Sequence, residues 1–165
     1  MRKIKQFALL PFFLLILAAC SSTKNPRLVK NFDNNWRFHL GDTLNEQSTA
    51  FNDSSWHQLD LPHDWSIELP FDKNSLAEPG GGYLNGGIGW YRKTFTLDKS
   101  LQGKKVFIDF DGIYRNSTVW LNNHLIGFRP YGYSSFRYNL TPYIHWDKPV
   151  DIFGEKCLKT FVREK

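Results

Sequence analysis

Residues 104–128, KKVFIDFDGIYRNSTVWLNNHLIGF, decide the fold. Val106, Ile108 and Phe110 alternate with Phe107, Asp109 and Asp111, the two-residue period of a strand with one face turned to a core. Asp111-Gly112 breaks that run, because glycine accepts backbone angles that other residues resist. A second run, Ser117–Leu121, meets Asn122-Asn123 and returns as His124–Phe128. Asparagine tolerates the left-handed conformation of a tight turn, so the spacing predicts a hairpin. A strand feeding a hairpin is expected to supply most of a sheet core, which the rest of the chain must cover.

Working outward, the flanking segments carry the same signature. Trp36 and Phe38 share a face if residues 32–38 are extended. His57–Leu61 reads as a short strand ended by Pro62, and Ile88–Phe95 alternates after a glycine-rich loop. Gly41–Ala50 and Leu97–Lys105 are polar connections, Phe51–Trp56 has turn chemistry, and Pro130–Tyr133 is a turn before Phe136–Leu140. No stretch sustains a helical period. Short strands between turn signals predict an all-β fold, a β-sandwich. Aromatic residues make up 16% of the chain, so rings are expected to dominate its core.

The first residues stand apart. Arg2, Lys3 and Lys5 precede an apolar run, Phe7–Leu17, too short to span a bilayer comfortably and followed by small residues. Residues 1–19 are therefore expected to be an export signal. The ending Leu17-Ala18-Ala19-Cys20 resembles the lipobox of bacterial lipoproteins. That resemblance implies lipidation at Cys20, a tether over residues 20–30, and an exported protein anchored in a membrane, periplasmic or at the outer membrane or cell surface. The chain has 21 basic and 16 acidic residues, a net +5, but residues 1–19 carry three of the basic and none of the acidic ones, leaving +2 without them. The positive balance therefore gives no support to nucleic-acid binding. About 145 residues remain, enough for one domain. Cys157 is the one cysteine beyond Cys20, so no internal disulfide is expected if Cys20 is acylated.

Few residues look chemical. His63-Asp64 suggests a triad fragment, but adjacent strand residues face opposite ways and no Gly-x-Ser-x-Gly elbow exists; a buried corner, with Asp64 accepting backbone hydrogen bonds and Trp65 packed, is the better reading. Glu78–Tyr91, EPGGGYLNGGIGWY, lacks the Gly-Lys-Ser/Thr of a phosphate loop and leads into a strand, so it is a long connection carrying Tyr83 and Asn85. The five histidines lack metal-ligand spacing, and no metal or cofactor is expected. Asp109 and Asp111 would share one strand face, where carboxylates are solvated or bonded to neighbouring strands more often than catalytic. The sequons at Asn52, Asn116 and Asn139 are read as chance.

Six segments in order then point one way: Trp36-Arg37-Phe38, Leu61-Pro62-His63-Asp64-Trp65, Gly87–Lys93, Phe110-Asp111-Gly112, Val119-Trp120-Leu121-Asn122 and Tyr138-Asn139-Leu140-Thr141. Together, over roughly residues 31–146, they resemble the N-terminal sugar-binding domain of glycoside hydrolase family 2, of β-galactosidase type. The resemblance implies a jelly-roll β-sandwich and a carbohydrate partner, a β-galactoside. It places the two catalytic glutamates on a TIM barrel beyond this chain, so no catalytic residue is expected here. It also implies that a loop of this domain reaches the sugar pocket, with Asp64, Trp65, Tyr83 and Asn85 as the candidates. Residues 147–165 depart from the family pattern, so they are expected to form an atypical tail and leave the sandwich one strand short, as a shifted frame or premature stop would. The other readings are a stand-alone glycan-binding surface lipoprotein, which needs exposed Trp or Tyr, and a structural domain in which nearly every ring is buried. The sequence leaves the oligomeric state open.

Overall fold

A computed structural model describes residues 27–75, 79, 82–114, 116–157 and 160–161. Residues 1–19, expected to be an export signal, and Cys20 lie outside the described residues. Among the described residues there are ten strands, no α-helix, and a few short 3-10 turns. The strands are β1 (Trp36–Leu40), β2 (His57–Leu59), β3 (Ile88–Thr96), β4 (Phe107–Phe110), β5 (Gly112–Ile113), β6 (Ser117–Leu121), β7 (His124–Arg129), β8 (Phe136–Asn139), β9 (Pro149–Cys157) and β10 (Thr160–Phe161). One layer is a six-stranded antiparallel sheet in the order β2-β1-β3-β9-β6-β7. The β4–β8 pair faces it, and β5 pairs with β10.

The core lies between these layers. Trp36, Phe38, Tyr91, Val119, Leu121, Val150 and Ile152 from the large sheet meet Ile108, Phe110 and Leu140 from the other side. Each fully buried Leu, Val or Ile of this kind contributes about 1.5–3 kcal/mol. Ile108 and Phe110 point inward while Phe107 remains 43% exposed, as the alternation predicts. The β6–β7 hairpin is present, with Asn122 and Asn123 both at positive φ, 49° and 68°. Asn122 also ties the turn to its neighbours: its amide donates to the Tyr143 carbonyl (2.7 Å) and its carbonyl accepts the Asp151 amide (3.0 Å).

Two expectations are corrected. The organising strand and hairpin do not share a sheet: β4 pairs with β8, whereas β6 and β7 belong to the large sheet. The Asp111–Asn116 corner carries the chain from one layer to the other, so this stretch spans the core instead of forming one side of it. The second correction concerns residues 147–165. Pro149–Cys157 is no tail; it is β9, hydrogen-bonded to β3 over nine residue pairs and to β6 on its other edge. Val150, Ile152 and Phe153 are all buried. A central strand is covered on both faces: β9, Pro-Val-Asp-Ile-Phe-Gly-Glu-Lys-Cys, turns Val150 and Ile152 into the core and buries Phe153 on its other face.

The outer face of the large sheet is covered too. Residues 41–56, read as a polar connection over 41–50 and turn chemistry over 51–56, form a strap across it. Arg92 on β3 is 4% exposed and holds the strap, donating to the carbonyls of Phe51 and Thr49 (both 3.1 Å) and pairing with Asp53 (3.3 Å). Its guanidinium lies 4.4 Å from the ring centre of Phe153. Burial pushes its pKa down, and Asp53 and Asp151 pull it back up. Trp56, Trp90 and Phe153 are buried outside the main core cluster, with Trp56 stacked on His39 and Trp90 on Trp120.

Candidate functional site at one end of the sandwich

The strand registers divide the molecule into two ends. Leu40 pairs with Gly89 beside Ile88, and Ile88 pairs with Cys157; on the other side of β9, Ser117 pairs with Arg129. The loops leaving these residues, 41 onward, 82–87, 114–116 and 130–135, therefore gather at one end. The four candidate residues belong to this end as well.

Asp64 caps the 3-10 turn Trp65–Glu68: its Oδ1 accepts from the Ser66 amide (3.1 Å) and hydroxyl (2.6 Å). This is the buried corner the residue order implies. Trp65 is 1% exposed and packs beneath Gly87 and Gly89. A buried indole presents no face to a sugar, so Trp65 supports the loop from below; its expected place as a sugar contact is corrected. A Cβ on Gly89 would come within 2.9 Å of Phe38 and 3.0 Å of Trp65, which is why the second residue of β3 is glycine. His63 is occupied on both sides, by the Tyr91 hydroxyl (2.8 Å) and Glu68 (2.9 Å), so it activates no nucleophile.

Tyr83 and Asn85 lie on the glycine-rich connection. Tyr83 holds φ at 55°, unusual for a bulky residue, and leaves its side chain partly exposed. The connection is pinned by Asp72, whose amide donates to the Tyr83 carbonyl (3.0 Å), and by Ser75, whose hydroxyl donates to the Leu84 carbonyl (2.7 Å). Asn85 is half-buried. An exposed ring beside a carboxamide suits a sugar: the ring stacks on C–H faces while the amide orients a hydroxyl.

The same end carries rings that sequence reasoning passed over. Tyr131 and Tyr133, in the loop after β7, are 57% and 74% exposed. Tyr133 meets both Tyr114 and Tyr131 edge-on, with centroids 5.5 and 5.8 Å apart. The signal was present in Pro130-Tyr131-Gly132-Tyr133, two tyrosines within four residues of a turn. The loop is held by the Asn116 amide donating to the Pro130 carbonyl (3.2 Å) and by Arg129 donating to Ser134. Beneath it, Tyr138 packs against Gly127, where a Cβ would overlap the phenol ring at 2.2 Å. Burial raises the Tyr138 pKa, against the nearby charge of Arg129.

The six-strand order, the facing pair and the motif positions agree with a match over residues 29–152 to the family model described as glycosyl hydrolases family 2, sugar binding domain. The chain belongs to glycosyl hydrolase family 2. Its family 2 domain is 53% identical over 135 residues to Beta-galactosidase BoGH2A of Bacteroides ovatus, covering 81% of this chain and 16% of that protein. It is 47% identical over 133 residues to a putative beta-glucuronidase of Formosa agariphila, covering 79% of this chain and 13% of that one. A solved beta-glycosidase from Bacteroides vulgatus superposes with a TM-score of 0.75 at 44% identity, over 78% of this chain and 17% of its own. The chain thus spans only a small part of the length of these relatives.

The family 2 domain is a jelly-roll β-sandwich, as the resemblance implied. Among its described residues no cluster of His, Cys, Asp or Glu is arranged to hold a metal ion. Asp109 is engaged by Arg137 through both carboxylate oxygens, and Asp111 lies beyond the end of β4. The Asn52 and Asn139 side chains accept backbone amides of Ser54 and Thr141, which accounts for these two sequons as turn residues.

Proposed function

We propose that the chain serves as the non-catalytic, sugar-facing N-terminal domain of an exported β-galactosidase-type glycoside hydrolase, with hydrolysis of the glycosidic bond performed by segments outside these residues. The observation that carries this reading is the 53% identity to a protein named a beta-galactosidase, confined to 16% of that protein. The end bearing Tyr83 and Asn85 is the part of this domain suited to meet a saccharide. Export and anchoring through Cys20 belong to the same reading and rest on the residues around the lipobox.

A second reading, a glycan-binding surface protein acting alone, gains support from one feature. Tyr131 and Tyr133 present large exposed rings at the same end. Both readings are tested by titrating the chain with β-galactosides and β-glucuronides while following tryptophan fluorescence, alongside a chromogenic β-galactoside assay. The first reading expects weak, galactoside-selective binding that is lost in Tyr83→Ala/Asn85→Ala, and no turnover. Turnover by this chain alone, or selectivity for the glucuronide, would overturn it.

A further inference from the structure

The opposite end has a different surface. Residues 27–32, the loop 97–106 and the start of β4 enclose an open groove of about 630 Å³. Its lining includes Arg27, Lys30, Lys104 and Lys105, together with Leu28, Val29 and Phe107, which are 63%, 51% and 43% exposed. The acidic groups here are few. Asp109 is paired with Arg137 and lies near Arg27, while Asp98, close to Lys30, is drawn toward the Ser100 amide. The surplus of charge is positive. The wall formed by residues 32–34 is fixed, because the Lys93 amine donates to the carbonyls of Phe32 (2.8 Å) and Asn34 (2.6 Å).

We propose that this end is the face the protein turns to a membrane bearing anionic headgroups, with Leu28, Val29 and Phe107 entering the interface and the lysines meeting lipid phosphates. Exposed aliphatic and aromatic side chains ringed by Lys and Arg have the composition of an interfacial surface. An anionic saccharide would share the charge, but it would also need amides and hydroxyls to orient its own hydroxyls. The groove's one carboxamide, Asn31, is engaged by Asp33, donating to its carboxylate and accepting its backbone amide. Chain length favours the membrane as well. Cys20 lies seven residues before Arg27, a contour of at most about 25 Å. The location of the face thus rests on the anchor reading; its chemistry does not. With this end toward the bilayer, Tyr83, Tyr131 and Tyr133 point away from it, toward incoming glycan.

The test uses the mature chain, residues 20–165, carrying Cys20→Ser so that no lipid assists. It is floated with vesicles of phosphatidylcholine alone or of phosphatidylcholine with phosphatidylglycerol. The expected result is at least roughly tenfold stronger partitioning to the anionic vesicles, since each lysine near such a surface contributes about fivefold. Lys30→Glu/Lys104→Glu/Lys105→Glu should abolish the difference, while the triple Lys→Arg variant, which keeps the charge, should retain it. Equal partitioning to both vesicle types, insensitivity to charge reversal, or capture by polygalacturonate with no vesicle binding would each overturn the proposal. Mass spectrometry of the exported full chain separately reports whether Cys20 is acylated. Flotation without acylation would therefore refute the anchor while supporting the face, and acylation without flotation would refute the face alone.

Discussion

At one end of the sandwich the turns carry Tyr83, Tyr131 and Tyr133; at the other they carry Lys30, Lys104 and Lys105. The rings of the first end are held up by close backbone packing, with Gly89 over Trp65 and Gly127 over Tyr138. The cations of the second end stand on short polar turns, such as Asp98 capping Lys99–Leu101. The difference teaches that one β-scaffold can present two chemistries. Its strands fix the ends about nine residues of β3 apart, and each set of loops then varies without disturbing the other.

The largest test of that separation is Gly127→Ala. A Cβ there would overlap the Tyr138 ring, and the phenol is wedged between the sheets. Overpacking of this kind costs about 1–3 kcal/mol. Thermal unfolding should show the loss. Amide hydrogen exchange should rise around residues 130–135 while residues 104–109 keep their protection. Equal loss of protection at both ends would show that the two are one cooperative unit, and the comparison would fail.

Asn122→Ala strikes the other end. It removes two side-chain hydrogen bonds, to Tyr143 and Asp151, and places alanine at a φ of 49°. Together these should cost about 2–4 kcal/mol. The chemical-denaturation midpoint should fall, and galactoside binding at the tyrosine end should hold its affinity in the folded fraction. Loss of sugar affinity in this variant would mean the ends communicate.

How much of this was legible follows from what each segment packs against. The inward alternation of Ile108 and Phe110, the Asn122-Asn123 turn and the facing pair Trp36 and Phe38 could be read because one face of each strand meets solvent or the strap, so apolar and polar positions separate. β9 escaped because its alternation is short: Val150, Asp151 and Ile152 are followed by Phe153, buried on the other face, and then by Gly154, Glu155 and Lys156, which break the period. The strap escaped because its anchor, Arg92, is a charged residue with its partners far away in sequence. Asp64 accepts the Ser66 backbone amide, as the buried-corner reading expects. Trp65 packs as that same reading expects; its place as a sugar contact failed because nothing in sequence distinguishes an indole under a loop from one on it. Tyr131 and Tyr133 were missed because the turn was read only as punctuation.

Tyr131→Ala/Tyr133→Ala sharpens the comparison in function more than in stability. Both side chains are mostly exposed, so folding stability should stay within about 0.5 kcal/mol. If the second reading of function holds, galactoside affinity should fall roughly tenfold, the sum of two ring contacts. Unchanged affinity would confine the sugar contact to Tyr83 and Asn85.

The smallest effect belongs to pH at the basic end. Hydrogen bonds from Arg137 hold the Asp109 carboxyl below the usual carboxylate range; burial opposes this, and the charges of Arg137 and Arg27 assist. A folded-state pKa below the unfolded one means that the contribution to stability is fully present above about pH 4 and is lost as pH falls through the folded value. Asp109→Asn should therefore be less stable than the parent at neutral pH, with the gap closing in acid. The gap should also shrink with added salt, since the Arg137 side chain is half exposed and screening reaches it. Asp98, whose carboxyl is also held low, by the Ser100 amide, is present in both proteins, so its own acid loss cancels in the difference. A gap that stays constant from neutral pH into acid would show that Asp109 contributes through shape alone.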